Sequence, residues 1–152
     1  MHAWRIAKER HALDRAGTGA KLTGGRWNSE GVAVIYAGLS VAITAFEKLV
    51  HTGNPLPDDL VLVEIILPEN PNLYQTLQQH QLPPHWDAMP SSIEAAGIGD
   101  QFVKSGEYLG LIVPSAIIQE SQNIVINPQH PSFGEVTFNI LRPFKFDHRI
   151  RS

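Results

Sequence analysis

Four short stretches of the sequence carry side chains that could bind a ligand or take part in a reaction. They are Trp4-Arg5-Ile6, Gly24-Gly25-Arg26-Trp27-Asn28, Tyr36 followed eleven residues later by Glu47, and Val113-Pro114-Ser115. Together they offer two guanidinium groups for an anion, a phenol and a hydroxyl for hydrogen bonding, and one carboxylate. Each of these groups could also serve a purely structural purpose, and that alternative is open for all of them.

The two arginines are candidates for binding an anion. Arg5 lies where an apolar strand pattern would accept a hydrophobic residue, and its planar guanidinium suits a pyrophosphate better than a lysine would. The alternative is an arginine at a strand end that extends to water. Arg26 follows two glycines, which let the backbone approach phosphates or ribose closely. Its alternative is a turn from which the side chain faces solvent.

Glu47 is the sharpest candidate for catalysis. Ser40 is a suitable N-cap for a helix that runs to about His51. On this helix Glu47 flanks the apolar stripe, with Thr44 and His51 as its helical neighbours. A carboxylate at the margin of a buried face is either a half-exposed surface charge or an active-site group.

Tyr36 lies at the end of a predicted strand, and Ser115 lies just after another. Tyr36 closes an apolar strand, a position from which a side chain can point into a cleft, and its alternative is a tyrosine at the rim of the core. Ser115 follows Pro114, which restricts the path of the chain after a strand. We expect its hydroxyl to donate or accept a hydrogen bond rather than act as a nucleophile, because no motif ties a histidine to it. Its alternative is a turn-forming serine.

Composition excludes several classes of function. The 152 residues suit one domain spanning 1–152, and the net charge of −3 gives no basic stripe for direct nucleic-acid binding. Without cysteine there are no disulfides, thiolate nucleophiles or zinc–thiolate sites.

His80 and His85 are close but separated by two prolines, so no metal is expected. Glycine-rich dinucleotide and P-loop motifs are missing. No signal peptide or membrane span is visible, which predicts a soluble cytoplasmic protein with no membrane partner.

Periodicity and turn residues predict an α+β fold. A long loop is expected over Gly17–Gly31, and helices over Ser40–His51, Leu73–His80 and Ser91–Lys104. Strands are expected at Ala3–Ala7, Val32–Ala37, Leu60–Leu67, Leu109–Val113, Asn123–Ile126 and Glu135–Phe146. Because strands and helices do not alternate regularly, we expect a single compact domain with a mixed sheet and packed helices.

In their order along the chain, these motifs resemble the RES-domain family, the toxins of bacterial toxin–antitoxin modules. The resemblance runs from Trp4 to about Phe133. It rests on the GGRWN loop, the strand that ends in Tyr36, Ala45-Phe46-Glu47, Val113-Pro114-Ser115, Asn127-Pro128 and His130-Pro131. Family members have Asn-Pro after GGRW where this chain has Asn28-Ser29-Glu30-Gly31, a departure that bears only on the loop.

The resemblance implies a fold similar to ADP-ribosyltransferases and a growth-arresting enzyme that cleaves NAD⁺ between nicotinamide and ribose. NAD⁺ is then the substrate, and no further cofactor is expected. It implies a catalytic role for Glu47, Arg5, Tyr36 and Ser115, and substrate binding by Arg5, Arg26, Tyr36 and Ser115. Tyr36 would stack on nicotinamide and anchor the ribose, and Ser115 would bond the ribose or the nicotinamide amide.

One carboxylate is enough for this reaction. Cleavage of an N-glycosidic bond builds positive charge on the ribose, as in the oxocarbenium-like state of glycosidases. The nicotinamide of NAD⁺ is already cationic and departs neutral, so no second carboxyl group is needed to protonate it. Glu47 facing the developing cation would supply the electrostatic stabilisation.

The acceptor of the ADP-ribosyl group stays open at this point. Water or phosphate would make the enzyme a glycohydrolase or phosphorylase, and a protein side chain would make it a protein ADP-ribosyltransferase. A non-catalytic module that binds NAD⁺ or ADP-ribose is the alternative outside enzymes, although such a module gains nothing from a carboxylate at the scissile bond. The resemblance also implies a cognate helix-turn-helix antitoxin of the Xre type, forming a hetero-oligomer in which it covers the cleft.

Overall fold

Seven strands form one mixed sheet in residues 1–151, the part of the chain that this computed structural model describes. The strands are β1 His2–Lys8, β2 Ile35–Gly38, β3 Leu60–Ile66, β4 Tyr74–Thr76, β5 Gly110–Pro114, β6 Gln122–Ile126 and β7 Thr137–Pro143. The helices are α1 Thr18–Thr23, α2 Val41–Val50 and α3 Ile93–Ser105, with short 3-10 turns at 9–11, 71–73, 79–81 and 131–135. The predicted α+β class, with a mixed sheet and packed helices, is confirmed.

Strands β1 and β2 are paired over only part of their length, which leaves an opening in the sheet beside α2. The strands lie in the order β4-β5-β6-β2-β1-β3-β7, with β4 and β5 parallel and the other neighbours antiparallel. All seven residues of β1 pair with β3. With β2, by contrast, β1 pairs at one position, Trp4 with Gly38. Past this position the two strands are not hydrogen-bonded, and the gap between them leads into a cavity lined by both strands.

Apolar side chains of the central strands form the core on both sides of this opening. Val63 and Ile65 of β3 and Ile124 and Ile126 of β6 are completely buried. Full burial of each such side chain stabilises the fold by about 1.5–3 kcal/mol. Side chains that line the opening therefore project from well-packed strands, which holds them in place.

The helix that carries Glu47 sits directly on the junction of β1 and β2. The Ser40 hydroxyl accepts a hydrogen bond from the Ile43 N–H at 3.1 Å, so the predicted N-cap is confirmed. Thr44 Oγ1 donates to the Ser40 carbonyl at 2.7 Å and lies 3.3 Å from the Trp4 carbonyl oxygen of β1. A Cβ on Gly38 would lie 2.2 Å from Thr44 Oγ1, so only glycine permits this approach. The fit fixes the height of α2 above the sheet.

The predicted helix over Leu73–His80 is wrong. The segment contains strand β4, flanked by two 3-10 turns, and β4 pairs in parallel with β5 from Tyr74 with Gly110 onward. Leu77 continues the contact by donating its N–H to the Ile112 carbonyl at 2.9 Å. Hydrogen bonding to a distant strand therefore overrides the local helical pattern here.

The predicted loop over Gly17–Gly31 contains the short helix α1. The Asp14 carboxylate accepts from the N–H groups of Gly17 at 3.1 Å and Thr18 at 3.2 Å, which caps the first turn. Gly17 itself adopts a left-handed conformation with φ of 68°. The predicted strand at Val32–Ala37 starts only at Ile35, because residues 29–34 complete this loop. No helix in residues 1–151 is both long and apolar enough to cross a bilayer.

Candidate active site

A cleft of two adjoining cavities opens between β1, β2 and α2. The inner cavity, about 260 Å³, lies between Trp4–Ile6 of β1 and Tyr36–Gly38 of β2, under Thr44 and Glu47 of α2. The outer cavity, about 570 Å³, is bounded by residues 24–27 and again by Glu47. The residues common to both are Tyr36, Glu47, Lys48, His51 and Asn123. The cleft thus brings together Arg5, Arg26, Tyr36 and Glu47, which lie far apart in the sequence.

Glu47 is held in this cleft by Ser115. The Ser115 hydroxyl donates a hydrogen bond to Glu47 Oε1 at 3.1 Å. Its oxygen also accepts from the N–H groups of Ile117 at 3.0 Å and Ile118 at 3.3 Å, and Ser115 is completely buried. Because two backbone donors fix the oxygen, the single hydroxyl proton has a defined direction. Ser115 therefore forms a turn, as its structural alternative predicts, and also orients the carboxylate.

The GGRWN loop is held by hydrogen bonds from its own backbone and side chains. The N–H of Gly25 donates to the Asn28 carbonyl at 3.0 Å, and the Asn28 side-chain amide donates to the Ala20 carbonyl at 2.8 Å. Asn28 is almost fully buried. Trp27 is buried as well and stacks on Trp86 with ring centres 6.2 Å apart, so it packs the loop onto the core. Asn28 was not among the predicted site residues, and it acts as the centre of the loop.

Tyr36 ties this loop to strand β2. Its hydroxyl donates to Asn28 Oδ1 at 2.6 Å and accepts from the Trp27 N–H at 3.0 Å. Burial raises the pKa of the Tyr36 phenol far above its usual value, so the group stays neutral. A Cβ on Gly25 would lie 2.8 Å from the hydroxyl oxygen, so glycine is needed for this contact. The phenol group thus braces the loop, while the residue lines both cavities.

Arg5 lines the inner cavity, but its guanidinium is engaged with the protein. Nη2 donates to the carbonyls of Ala12 and, at 3.1 Å, Asp14. The guanidinium carbon lies 4.9 Å from the centre of the Phe138 ring. Burial lowers the pKa of Arg5, and the charge of Asp14 opposes this shift. Arg5 therefore does not extend to water, as its alternative expected, but holds the turn after β1, and its predicted role toward pyrophosphate stays a prediction.

Arg26 lines the outer cavity and is engaged in a similar way. Its Nη1 donates to the carbonyls of Trp86 at 2.8 Å and Ala88 at 2.9 Å. The side chain therefore links the GGRWN loop to the turn at 86–88 instead of facing solvent. Its predicted role in binding phosphate or ribose remains a prediction.

Sequence reasoning misses three residues at the boundary of the two cavities. Lys48 and His51 follow Glu47 at the end of α2, and Asn123 lies at the start of β6. Burial lowers the pKa of Lys48, and the nearby charge of Lys8 lowers it further. The Oδ1 of Asn123 is buried without a hydrogen-bond partner among the described residues. The helical spacing of His51 from Glu47 could have pointed to it, whereas nothing in the strand pattern marks Asn123.

The chemical groups of the cleft suit an organic ligand. They are a carboxylate, an ammonium, an imidazole, a phenol and a carboxamide, supplied by Glu47, Lys48, His51, Tyr36 and Asn123. Within residues 1–151, no cluster of His, Asp and Glu side chains is arranged to hold a metal ion. The arrangement offers hydrogen bonds and one fixed negative charge to a ligand in the inner cavity.

Comparison with known proteins agrees with the motifs. Residues 2–147 match the RES domain. This chain belongs to the RES-domain family. The RES chain is 38% identical over 152 residues to the "Prs ADP-ribosylating toxin" of a Sphingobium species, covering 97% of this chain and 94% of that protein. It is 36% identical over 153 residues to "Toxin Res" of Photorhabdus laumondii, covering 99% and 97%.

A solved structure shares the RES fold of this chain. It is the crystal structure of the Mycobacterium tuberculosis MbcT–MbcA toxin–antitoxin complex, with a TM-score of 0.70 and 20% sequence identity. The match covers 93% of this chain and 84% of that one. At this TM-score and coverage the fold is common to both proteins. The family predicted from the motifs is confirmed by the RES-domain match over residues 2–147 and by the relatives that are more than 30% identical.

Proposed function

We propose that this RES-domain protein is a toxin that cleaves NAD⁺ at the bond between nicotinamide and ribose. The observation that carries the proposal is the Glu47 carboxylate, held 3.1 Å from the buried Ser115 hydroxyl in a cleft also lined by Tyr36. The relatives named as toxins support the biological role. The name of the Sphingobium relative includes ADP-ribosylation, which supports NAD⁺ as the substrate.

Glu47 stabilises the charge that forms when the bond breaks. The C1′–N bond of the nicotinamide ribose breaks, its electron pair moves to the pyridinium nitrogen, and nicotinamide leaves as a neutral molecule. Positive charge develops at C1′ and the ring oxygen of the ribose. A carboxylate fixed beside that position lowers the energy of this state without needing to reorganise. Ser115 keeps Glu47 in place and does not itself bond to the ribose carbon.

The shape of the cleft suits the nicotinamide end of NAD⁺. The inner cavity has apolar walls from Trp4, Ile6 and Ala37, and Glu47 stands where it joins the outer cavity. Small-molecule sites typically measure roughly 300–1,000 Å³, a range that the two adjoining cavities of about 260 and 570 Å³ match together. We place nicotinamide in the inner cavity and its ribose beside Glu47. Displacing water from this region strengthens the electrostatic effect of the carboxylate.

The acceptor then bonds to C1′ and loses a proton. Water would give ADP-ribose, phosphate would give ADP-ribose phosphate, and a hydroxyl or amine of a protein would give an ADP-ribosylated protein. The name of the Sphingobium relative favours a protein acceptor as the second candidate. The outer cavity is open toward solvent, so each of these acceptors can approach the ribose from that side.

The cleft also suits an antitoxin that covers it. The solved structure with the same fold is a complex of a toxin with its antitoxin. Here Phe46 precedes Glu47 and is 46% exposed, and Met89 lines the outer cavity and is 76% exposed. Exposed apolar side chains beside a functional cleft are typical of a surface that receives a partner. We propose a helix-turn-helix antitoxin of the Xre type as that partner, acting in the cytoplasm where free NAD⁺ is available.

The proposal is tested by incubating the purified protein with NAD⁺ and separating the products by chromatography. We expect one nicotinamide to be released for each NAD⁺ that is consumed. Repeating the reaction with phosphate, and then with a cell extract analysed by mass spectrometry, identifies the acceptor. The proposal is contradicted if the folded protein releases no nicotinamide under any of the three conditions, which are NAD⁺ alone, NAD⁺ with phosphate and NAD⁺ with cell extract.

A further inference from the structure

Each arginine of the cleft donates from one guanidinium nitrogen to two backbone carbonyls. Arg5 donates to Ala12 and Asp14, and its guanidinium lies over the Phe138 ring. Arg26 donates from one nitrogen to two carbonyls of the 86–88 turn.

Arg5 Nε is buried without a hydrogen-bond partner among the described residues, so it does not face a ligand. Arg26 keeps Nε and Nη2 without such a partner, but the side chain is tied to the 86–88 turn. Lys48, by contrast, makes no contact of this kind, which makes it the cation to consider next.

Lys48 stands where three cavities meet. Besides the inner and outer cavities, it lines a side cavity of about 920 Å³ between β1 and α1, whose walls include Leu13, Gly17 and Leu22. Tyr36 also lines all three cavities, whereas Glu47 lines only the inner and outer ones. Arg5 lines the inner and the side cavity, and Lys48 is the charged residue that lines all three.

The Lys48 ammonium has no ion-pair or hydrogen-bond partner within residues 1–151. None of the ion pairs in this part of the chain includes it, and its ammonium makes no hydrogen bond to a described residue. The side chain is partly buried, and both burial and the charge of Lys8 lower its pKa, with Asp59 acting in the opposite direction. A cation that is already partly stripped of water attracts an anion more strongly than one in bulk solvent.

The order of groups in NAD⁺ matches the order of the cavities. The pyrophosphate lies between the nicotinamide ribose and the adenosine. With the ribose beside Glu47, the pyrophosphate would come next to Lys48, which lines all three cavities, and the adenosine would reach the side cavity. The exposed Leu13 and Leu22 give that cavity apolar surface for the adenine ring.

We infer that Lys48, rather than Arg5 or Arg26, is the residue that binds the pyrophosphate of the dinucleotide, and that the side cavity receives its adenosine. This inference rests on the proposed function, because it starts from the ribose beside Glu47. The Lys48 ammonium is a compact charge whose N–H groups can donate to phosphate oxygens from several directions. Arg5 and Arg26 shape the walls of the cleft on either side of it.

The test measures ligand affinity in protein that carries Glu47→Gln, so that NAD⁺ is not consumed. Isothermal titration gives Kd for NAD⁺ and for ADP-ribose in this background alone and with Lys48→Met, Lys48→Gln or Lys48→Arg. Lys104→Met is the matched control, since Lys104 also lies in the last turn of a helix, α3, but away from the cleft. Thermal unfolding of each variant checks that it is folded.

We expect Lys48→Met and Lys48→Gln to weaken both ligands about tenfold, the effect of one charge-assisted contact. Lys48→Arg should stay within about threefold, since it keeps the charge. Lys104→Met should leave both affinities unchanged. The inference is overturned if Lys48→Met and Lys48→Gln both leave the two Kd values unchanged. It is also overturned if Lys104→Met weakens binding as much as these variants do, or if they weaken NAD⁺ but not ADP-ribose.

The two proposals fail in different ways. If the wild-type protein releases nicotinamide while Lys48→Met keeps full affinity, only the role of Lys48 is wrong. If the wild-type protein releases no nicotinamide and the Glu47→Gln protein binds neither ligand, the proposed function is wrong and the inference falls with it.

Discussion

At the residue scale, the contact between Ser115 and Glu47 distinguishes a serine that bonds the substrate from a serine that positions another side chain. The Ser115 hydroxyl donates to the carboxylate while its oxygen accepts from two backbone N–H groups. Its donor is therefore used on another side chain and its acceptor sites on the turn that holds it. In the proposed reaction, a serine in this position would affect the rate through Glu47 without touching the reacting atoms.

Ser115→Ala should lower kcat for nicotinamide release about tenfold and leave KM nearly unchanged, since the carboxylate loses the donor that orients it. Steady-state kinetics with NAD⁺ measures both constants. Ser121→Ala is the control, because Ser121 lies in the same turn and uses its backbone, rather than its side chain, to bond Ser115 and Ile118. An unchanged kcat in Ser115→Ala would remove the positioning role.

Tyr36→Phe should lower the free energy of unfolding by about 1–3 kcal/mol, because the buried Asn28 Oδ1 and Trp27 N–H both lose their partner. Urea denaturation measures the change. Tyr108→Phe serves as the control, since the Tyr108 hydroxyl forms no hydrogen bond to a described residue. Equal stability of Tyr36→Phe and wild type would mean that the phenol does not brace the loop.

At the element scale, α3 and the GGRWN loop meet through one glycine. A Cβ on Gly99 would lie 1.6 Å from the Trp27 carbonyl oxygen, so the helix and the loop touch backbone to backbone. Asp100, the next residue, accepts hydrogen bonds from the N–H and hydroxyl of Ser29 at 2.8 and 2.5 Å. The helix therefore sets the position of the loop that bounds the outer cavity.

Gly99→Ala should destabilise the fold by more than about 2 kcal/mol, because the added methyl group pushes the helix away from the loop. Gly97→Ala lies on the same helix with nothing within 4 Å of the added Cβ, and should be neutral or stabilising by up to about 1 kcal/mol. Differential scanning calorimetry compares the two. Similar midpoints for both variants would contradict the close packing.

Local signals predicted the elements that depend on local chemistry. The Ser40 cap places α2 correctly, and the apolar run of β3 is found as a strand over Leu60–Ile66. The Leu73–His80 segment was mispredicted because β4 is stabilised by pairing with β5, more than thirty residues away. The terminal strand ends at Pro143 instead of Phe146, since Phe144 and Phe146 turn to pack on the Leu60 and Leu62 side of the core.

The candidate site was only partly predictable for a similar reason. Glu47 and Ser115 were named from motifs, and the cleft brings them into contact. The engagement of Arg5 by the carbonyls of residues 12 and 14 could not be read from the sequence, because it depends on how the turn after β1 folds back. Lys48 follows Glu47 directly, yet only the packing of α2 over β1 and β2 turns it toward three cavities.

At the scale of the whole molecule, a cleft that consumes NAD⁺ would harm the cell that makes the protein. We expect induced expression to arrest growth and to lower cellular NAD⁺ before other changes. Co-expression of a helix-turn-helix antitoxin encoded beside it should restore both, by covering the cleft. Growth curves and enzymatic NAD⁺ assays follow the effect. Normal growth with unchanged NAD⁺, in cells that contain folded protein, would rule out the proposed toxicity.

The central claim is that Glu47 stabilises the transition state of NAD⁺ cleavage, and one comparison tests it most directly. Nicotinamide release by purified wild-type and Glu47→Gln proteins is measured side by side at saturating NAD⁺, with NAD⁺ affinity determined by titration. We predict that Glu47→Gln binds NAD⁺ with near wild-type affinity but turns it over at least ~10²-fold more slowly, the effect of losing one transition-state electrostatic contact. Near wild-type nicotinamide release by a folded Glu47→Gln protein would contradict the claim.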